Sequence, residues 1–140
     1  MILLDANILI HSKQPSSKHY TAITNRLMQF IQNDEELVIC PQVLYEYYAV
    51  VTRTQGENGY NISTTDAMQQ VEDFKSTYTF MNDPDNLFTV WQSIITTYGT
   101  IGKPAHDARL VAFMSAQAIE NIYTLNPNDF TRYSDIITVV

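Results

Sequence analysis

Among 140 residues the sequence has one cysteine, Cys40, so no disulfide can form within the chain. Cys40 ends the apolar run Leu37-Val38-Ile39 and reads as a buried thiol, and nothing argues for an oxidising compartment. Long apolar runs are lacking too. None approaches the roughly 20 residues of a membrane span. The stretch Met1-Ile2-Leu3-Leu4 meets an acid at Asp5 and has neither the basic flank nor the cleavage site of a secretory signal. The expected location is the cytoplasm, with no membrane partner. Bases are few, 8 against 15 acids for a net charge of −7. That balance counts against a nucleic-acid partner, because phosphate binding usually leaves a basic footprint. It counts less if the acids converge on a cation, or if the strand is held only transiently. The chain also lacks internal repeats, low-complexity tracts and a glycine-rich phosphate loop. His11, His19 and His106 have no metal-ligand spacing, and Cys40 has no motif of a catalytic thiol.

What is present suits one compact domain spanning 1–140. Hydrophobic residues make up 45% and charged residues 16%, and a chain of this length buries enough surface to fold unaided. Strand and helix alternate. Ile2 to Leu4 and Leu37 to Cys40 read as buried strands, and Ile122 to Leu125 and Ile136 to Val140 as closing ones. Residues 19–33 place Tyr20, Ile23, Leu27, Phe30 and Ile31 on one helical face, and residues 42–53 repeat the pattern. Asp34-Glu35-Glu36 suits a solvated turn, and 54–61, with two glycines and two asparagines, a loop. Ser63 caps one expected helix. Asp83, with Pro84 at the first helical position, caps another that stops near Gly99. A further helix covers 105–119. Strands separated by helices predict an α/β fold, a three-layer α/β/α sandwich around a parallel sheet of four or five strands.

Such sheets carry their sites beyond the carboxyl ends of the strands. Asp5 follows the first strand directly. Glu46 lies early in the helix after the second strand, and Asp107 lies in the first turn after Gly102-Lys103-Pro104. Asn126 follows the strand 122–125, with Asp129 three residues on. All five should meet at one edge. Each has a bland alternative: Asp107 as a helix cap, Glu46 as a solvated helical residue. Yet Glu46 sits among Leu44, Tyr45, Tyr47, Tyr48 and Val50, where an acid calls for a partner. Three carboxylates about 5 Å apart would repel by about 3 kcal/mol per pair at an effective dielectric of about 20, so protons or a cation must relieve them. Oxygen-only ligands favour Mg²⁺ or Mn²⁺, whose usual work at such a site is phosphodiester hydrolysis. His106 adjoins Asp107 and can orient it or contact substrate, though a cap or packing role is the simpler reading. Tyr45, Tyr47 and Tyr48 can stack on bases, but on a helix most of that cluster reads as core.

Four segments resemble the motifs of PIN domains, in order and from end to end. They are Leu3-Leu4-Asp5-Ala6-Asn7-Ile8-Leu9-Ile10, the segment Pro41 to Arg53 around Glu46, the segment Gly102 to Ala112 around Asp107, and Leu125-Asn126-Pro127-Asn128-Asp129-Phe130-Thr131-Arg132-Tyr133 preceded by Thr124. The resemblance implies a PIN fold and a Mg²⁺- or Mn²⁺-dependent endoribonuclease acting on single-stranded RNA. Asp5 and Asp107 would be the main metal ligands. Glu46 would reach the metal through water or help activate the nucleophile. Asn126, Asp129 and Thr124 would complete the pocket, with Asn7, His106 and Arg109 supporting it or contacting substrate. The VapC-like branch of the family further implies a toxin held by a cognate antitoxin, and a homodimer. Two positions depart from the pattern. Ala6 stands where Thr or Ser is common, leaving Asn7 to cover that role, and Asn126 replaces a fourth acid, which weakens a second metal site.

Two other readings stand beside this one. A non-catalytic PIN-like module would bind RNA or protein, against which the intact three-acid set argues. An acidic regulatory domain would accept phosphate on an aspartate, but no basic or hydroxyl pair stands in the expected relation to Asp5.

Overall fold

The computed structural model describes residues 1–57 and 59–140. Five parallel strands form one sheet in the order β3-β2-β1-β4-β5. They are β1 (Ile2–Leu4), β2 (Leu37–Ile39), β3 (Thr79–Phe80), β4 (Asn121–Tyr123) and β5 (Thr138–Val139). Parallel neighbours require crossovers, and helices supply them. The helices α1 (Ala6–Ser12) and α2 (Tyr20–Gln32) join β1 to β2. From β2 to β3 the chain runs through α3 (Pro41–Thr52) and α4 (Thr64–Thr77), and from β3 to β4 through α5 (Leu87–Tyr98) and α6 (Ala105–Ala116). A short 3-10 segment, Pro127–Tyr133, precedes β5. The chain thus runs outward from β1 to β3, returns, and adds β4 on the other side of β1. Right-handed crossovers in opposite directions put the two helix groups on opposite faces of the sheet. In keeping with this, α1 packs on α2 and α3, α3 on α4, and α5 on α6.

The apolar pattern explains the placement. In β1 and β2 every residue is buried, as expected of strands covered on both faces. On α2, Ile23, Leu27 and Phe30 face the core at helical spacing. Ile31, expected on that face, is exposed instead, because the next position around the helix points to solvent. The α6 helix is buried along Leu110 to Met114, almost all round, as the innermost helix of its layer. Cys40 is buried and its thiol is pushed up to about 11 by desolvation, so it is an inert packing group.

Caps follow the sequence in part. Ser63 Oγ accepts from Asp66 N at 3.1 Å and starts α4. Replacing this cap, Ser63→Ala, should cost about 1 kcal/mol in urea unfolding. Gly99 ends α5 with φ 59° and ψ 37°, a left-handed stop that favours glycine. Asp83 does not cap α5. That helix starts three residues later, with Asn86 at its cap, and the Asp83 carboxylate is drawn off by Arg109 at 2.6 Å. The expected loop at 54–61 includes a 3-10 turn at Gln55–Glu57, and Asn58 lies outside the described residues. Two elements lay beyond the sequence reading: α1, hidden in the first motif, and β3, only two residues long.

Candidate active site

The reversal of strand order falls between β1 and β4, which is where open parallel sheets form their crevice. The register sets Leu4 opposite Tyr123, so Asp5 and Thr124 are the next residues across from one another. Asp5 N donates to Tyr123 O at 3.0 Å, carrying the ladder one step past the strand. Thr124 Oγ1 donates to Asp5 Oδ2 at 2.6 Å, and Asn7 Nδ2 donates to the same oxygen at 2.7 Å. Asn7 Oδ1 in turn accepts from Leu125 N at 3.1 Å, and Thr124 Oγ1 accepts from Asn126 N at 3.0 Å. Two neutral side chains and two backbone amides therefore lock one carboxylate oxygen in place. Asn7 does so from the first turn of α1, where Ala6 offers no hydroxyl.

Asp5 is 9% exposed. Burial raises its pKa from the ordinary 3.8 to about 6, the Thr124 hydroxyl opposes the rise, and the charges of Glu46 and Asp107 add to it. Asp107, half-buried in the first turn of α6, is also raised. Its causes are desolvation first, then Asp129 and Glu46, with His106 and Lys103 pulling the other way. Pro104 occupies the N-cap of α6, and Asp107 lies three positions inside the helix. The four acids Asp5, Glu46, Asp107 and Asp129 thus share one electrostatic field.

Their settings differ. Asp129 and Asp107 face one cavity of about 320 Å³, with Arg132 on its wall. Glu46 is exposed, contrary to the expectation from its apolar neighbours. On α3 the apolar residues Val43, Leu44, Tyr47 and Val51 turn inward, while Tyr45 and Glu46 turn out. Of the tyrosines, Tyr47 is core, bonded to Gln70, and Tyr45 is solvent-facing. Asn126 is exposed and reaches the network through its backbone. The His106 ring is exposed, and its carbonyl is the group that makes the structural contact.

Sequence reasoning missed Gln42, which is 8% exposed and ties α3 to α6. Gln42 Nε2 donates to Glu46 Oε1 at 2.9 Å and to His106 O at 3.0 Å, and its Oε1 accepts from Arg109 Nη1 at 3.0 Å. Arg109 also grips Asp83. Its place is behind the acids, as a support. The signal was present: Gln42 and Glu46 stand four apart on one helix, a spacing that brings side chains together. Gln42→Leu should cost about 2 kcal/mol in urea unfolding, since it removes the tie between α3 and α6 and leaves an Arg109 N–H without its partner.

Among the described residues, no three His, Cys, Asp or Glu side chains close around a single metal position. The donor chemistry nevertheless suits a hard divalent cation. Mg²⁺ keeps several waters and needs only one or two carboxylates from the protein.

No protein-family model matches the sequence, and no curated protein matches it. Solved structures do match its fold. VapBC2 from Rickettsia felis, bound to a DNA fragment from the promoter of the pair, superposes with a TM-score of 0.72 at 19% identity, over 100% of this chain and 98% of the other. VapC20 from Mycobacterium tuberculosis, a Sarcin-Ricin loop cleaving toxin, gives 0.67 at 13% identity, over 99% and 97%. FitAcB from Neisseria gonorrhoeae gives 0.67 at 16% identity, over 99% and 96%. At these identities the likeness concerns architecture. It extends over nearly the whole of each matched chain. The chain has the PIN-domain fold of the VapC toxins.

Proposed function

We propose that this chain is a metal-dependent endoribonuclease that hydrolyses phosphodiester bonds of single-stranded RNA. On this reading it is the toxin of a toxin–antitoxin pair, works in the cytoplasm, forms a homodimer and is held by a cognate antitoxin. One observation carries the catalytic part. Asp5 is buried at the strand-order switch, has one oxygen fixed by Thr124 and Asn7, and stands in the field of Glu46 and Asp107. A buried carboxylate among like charges is poorly placed at neutral pH unless a cation joins it. The fold likeness to a toxin described as cleaving the Sarcin-Ricin loop favours RNA as the substrate, and the likeness to VapBC and FitAB pairs favours an antitoxin. Among the described residues no helix is long and apolar enough to cross a membrane.

Asp5 and Asp107 would hold Mg²⁺ or Mn²⁺, with Glu46 reaching it through water. The bound ion lowers the pKa of a water and stabilises the charge that develops on the phosphate. The chain's own groups do the rest. Thr124 and Asn7 keep the Asp5 oxygen aimed. Gln42 holds one Glu46 oxygen and leaves the other to take a proton from the attacking water. Asp129, which lines one cavity with Asp107, and Asn126 would complete the pocket, and His106, next to Asp107 in the chain, would meet the strand. The test is cleavage of single-stranded RNA by purified protein. Cleavage is expected with Mg²⁺ or Mn²⁺ and should vanish in EDTA. Undiminished cleavage in EDTA would refute the metal role, and failure on every RNA tried would favour a non-catalytic interaction module.

A further inference from the structure

Phe88 and Trp91 stand three residues apart on α5 and stack at 5.6 Å between ring centroids, 26° from parallel. Trp91 is anchored, with Nε1 donating to Ala105 O at 3.0 Å. Phe88 is 66% exposed. The two rings line a cavity of about 480 Å³, together with Asp83, Asp85 and Arg109. That volume is in the range of small-ligand sites. The cavity is poorly suited to phosphate, because Arg109 is already committed to Asp83 and Gln42 and two carboxylates remain. It is rich in acceptors. Among the described residues, Asp83 Oδ1 is buried without a hydrogen-bond partner, and Asp85 is exposed at the rim. An aromatic platform beside carboxylate acceptors selects a flat ring that presents adjacent N–H donors. Of the four RNA bases, guanine does so, through N1–H and its 2-amino group. Unstacked bases are commonly read in this way, on an aromatic face and along the Watson–Crick edge.

A hydrogen-bond chain links the cavity to the acids. Arg109 stands two positions beyond Asp107 on α6, and its hydrogen bond to Gln42 continues to Glu46. We propose that this cavity is a guanine-binding subsite, with Phe88 and Trp91 stacking on the base and Asp85 accepting from its Watson–Crick edge. Its use on a substrate strand rests on the nuclease reading above; base binding itself does not. The subsite gives an acidic protein a hold on RNA that does not depend on phosphate contacts.

Trp91 is the single tryptophan of the chain, so its fluorescence reports this cavity alone. The experiment titrates the full chain with guanosine monophosphate, and separately with the adenosine, cytidine and uridine monophosphates. Saturable quenching is expected, with the guanine nucleotide bound about tenfold more tightly than the others. Phe88→Ala, at an exposed position, should weaken that binding about tenfold. Asp85→Asn should remove the preference for guanine while leaving weak stacking. Absence of saturable quenching, or equal affinity for all four nucleotides, overturns the proposal. So does a Phe88→Ala variant that falls to a smaller assembly in sedimentation with unchanged nucleotide affinity, since the face would then belong to a second copy. RNA cleavage by the same preparation is scored separately. Guanine binding without cleavage sinks the nuclease reading and not the subsite, and cleavage without guanine binding does the reverse.

Discussion

Asp5→Asn is expected to lower kcat/KM for RNA cleavage by about a hundredfold or more, with the fold intact. A metal-held charge at the reacting phosphate contributes several kcal/mol to the barrier, and each 1.36 kcal/mol is tenfold in rate. The substitution is mild in shape. An asparagine carbonyl oxygen can still accept from Thr124 and Asn7, which now meet at Asp5 Oδ2. It removes the ligand's charge and little else. On the proposed reading Asp5 would act at the reacting centre, so the loss should appear in kcat at saturating RNA. Circular dichroism and urea unfolding check that the protein still folds. An Asp5→Asn protein that cleaves as fast as wild type would remove Asp5 from the chemistry.

The second large effect is on stability without metal. The Asp5 pKa rises from 3.8 in the unfolded chain to about 6 in the folded one. Between about pH 4 and about pH 6 the folded state therefore binds more protons at this group than the unfolded state does. Stability from Asp5 is greatest below about pH 4 and is lost as the pH rises through about 6. At 1.36 kcal/mol per pH unit the loss amounts to about 3 kcal/mol. In EDTA at neutral pH, Asp5→Asn should then be more stable than wild type by about that much, and the two should converge near pH 4. Urea unfolding at a series of pH values reads the difference. Asp107→Asn should shift in the same direction by less, since Asp107 is only half-buried and is relieved in part by His106 and Lys103. Mg²⁺ at 100 times its dissociation constant should return about 2.7 kcal/mol to wild type and less to either variant. An Asp5→Asn protein less stable than wild type at neutral pH in EDTA would show that the carboxylate is held by its partners without strain.

The architecture was legible because the buried strands are short apolar runs that end in polar residues. Ile2 to Leu4 stops at Asp5, so the position of that acid could be read from the point where hydrophobicity breaks off, whereas the strand read as Ile122 to Leu125 ends two residues earlier, at Tyr123. Thr79–Phe80 gave no such signal. Two residues are too few for a period, and neither is fully buried, because the strand lies at the sheet edge. Glu46 misled for a related reason: its neighbours are apolar in sequence, but helical rotation sends Tyr45 and Glu46 outward together. Asp83 was read as a cap from Asp-Pro alone. The guanidinium that claims it lies 26 residues away, beyond the reach of local pattern. Gln42 is the opposite case. Its i, i+4 relation to Glu46 was visible, but its tie to the His106 carbonyl, 64 residues on, depends on how α3 meets α6.

The bond between Thr124 and Asp5 spans 119 positions of the chain. A ribosome making this protein releases Asp5 early and Thr124 long afterwards. During that interval β1 lacks the neighbour β4, and the oxygen that Thr124 will fix is unrestrained. Contacts of such long sequence separation form late, after the loops between them have closed. A nascent chain therefore carries the residues of this site without its geometry until synthesis has passed residue 124.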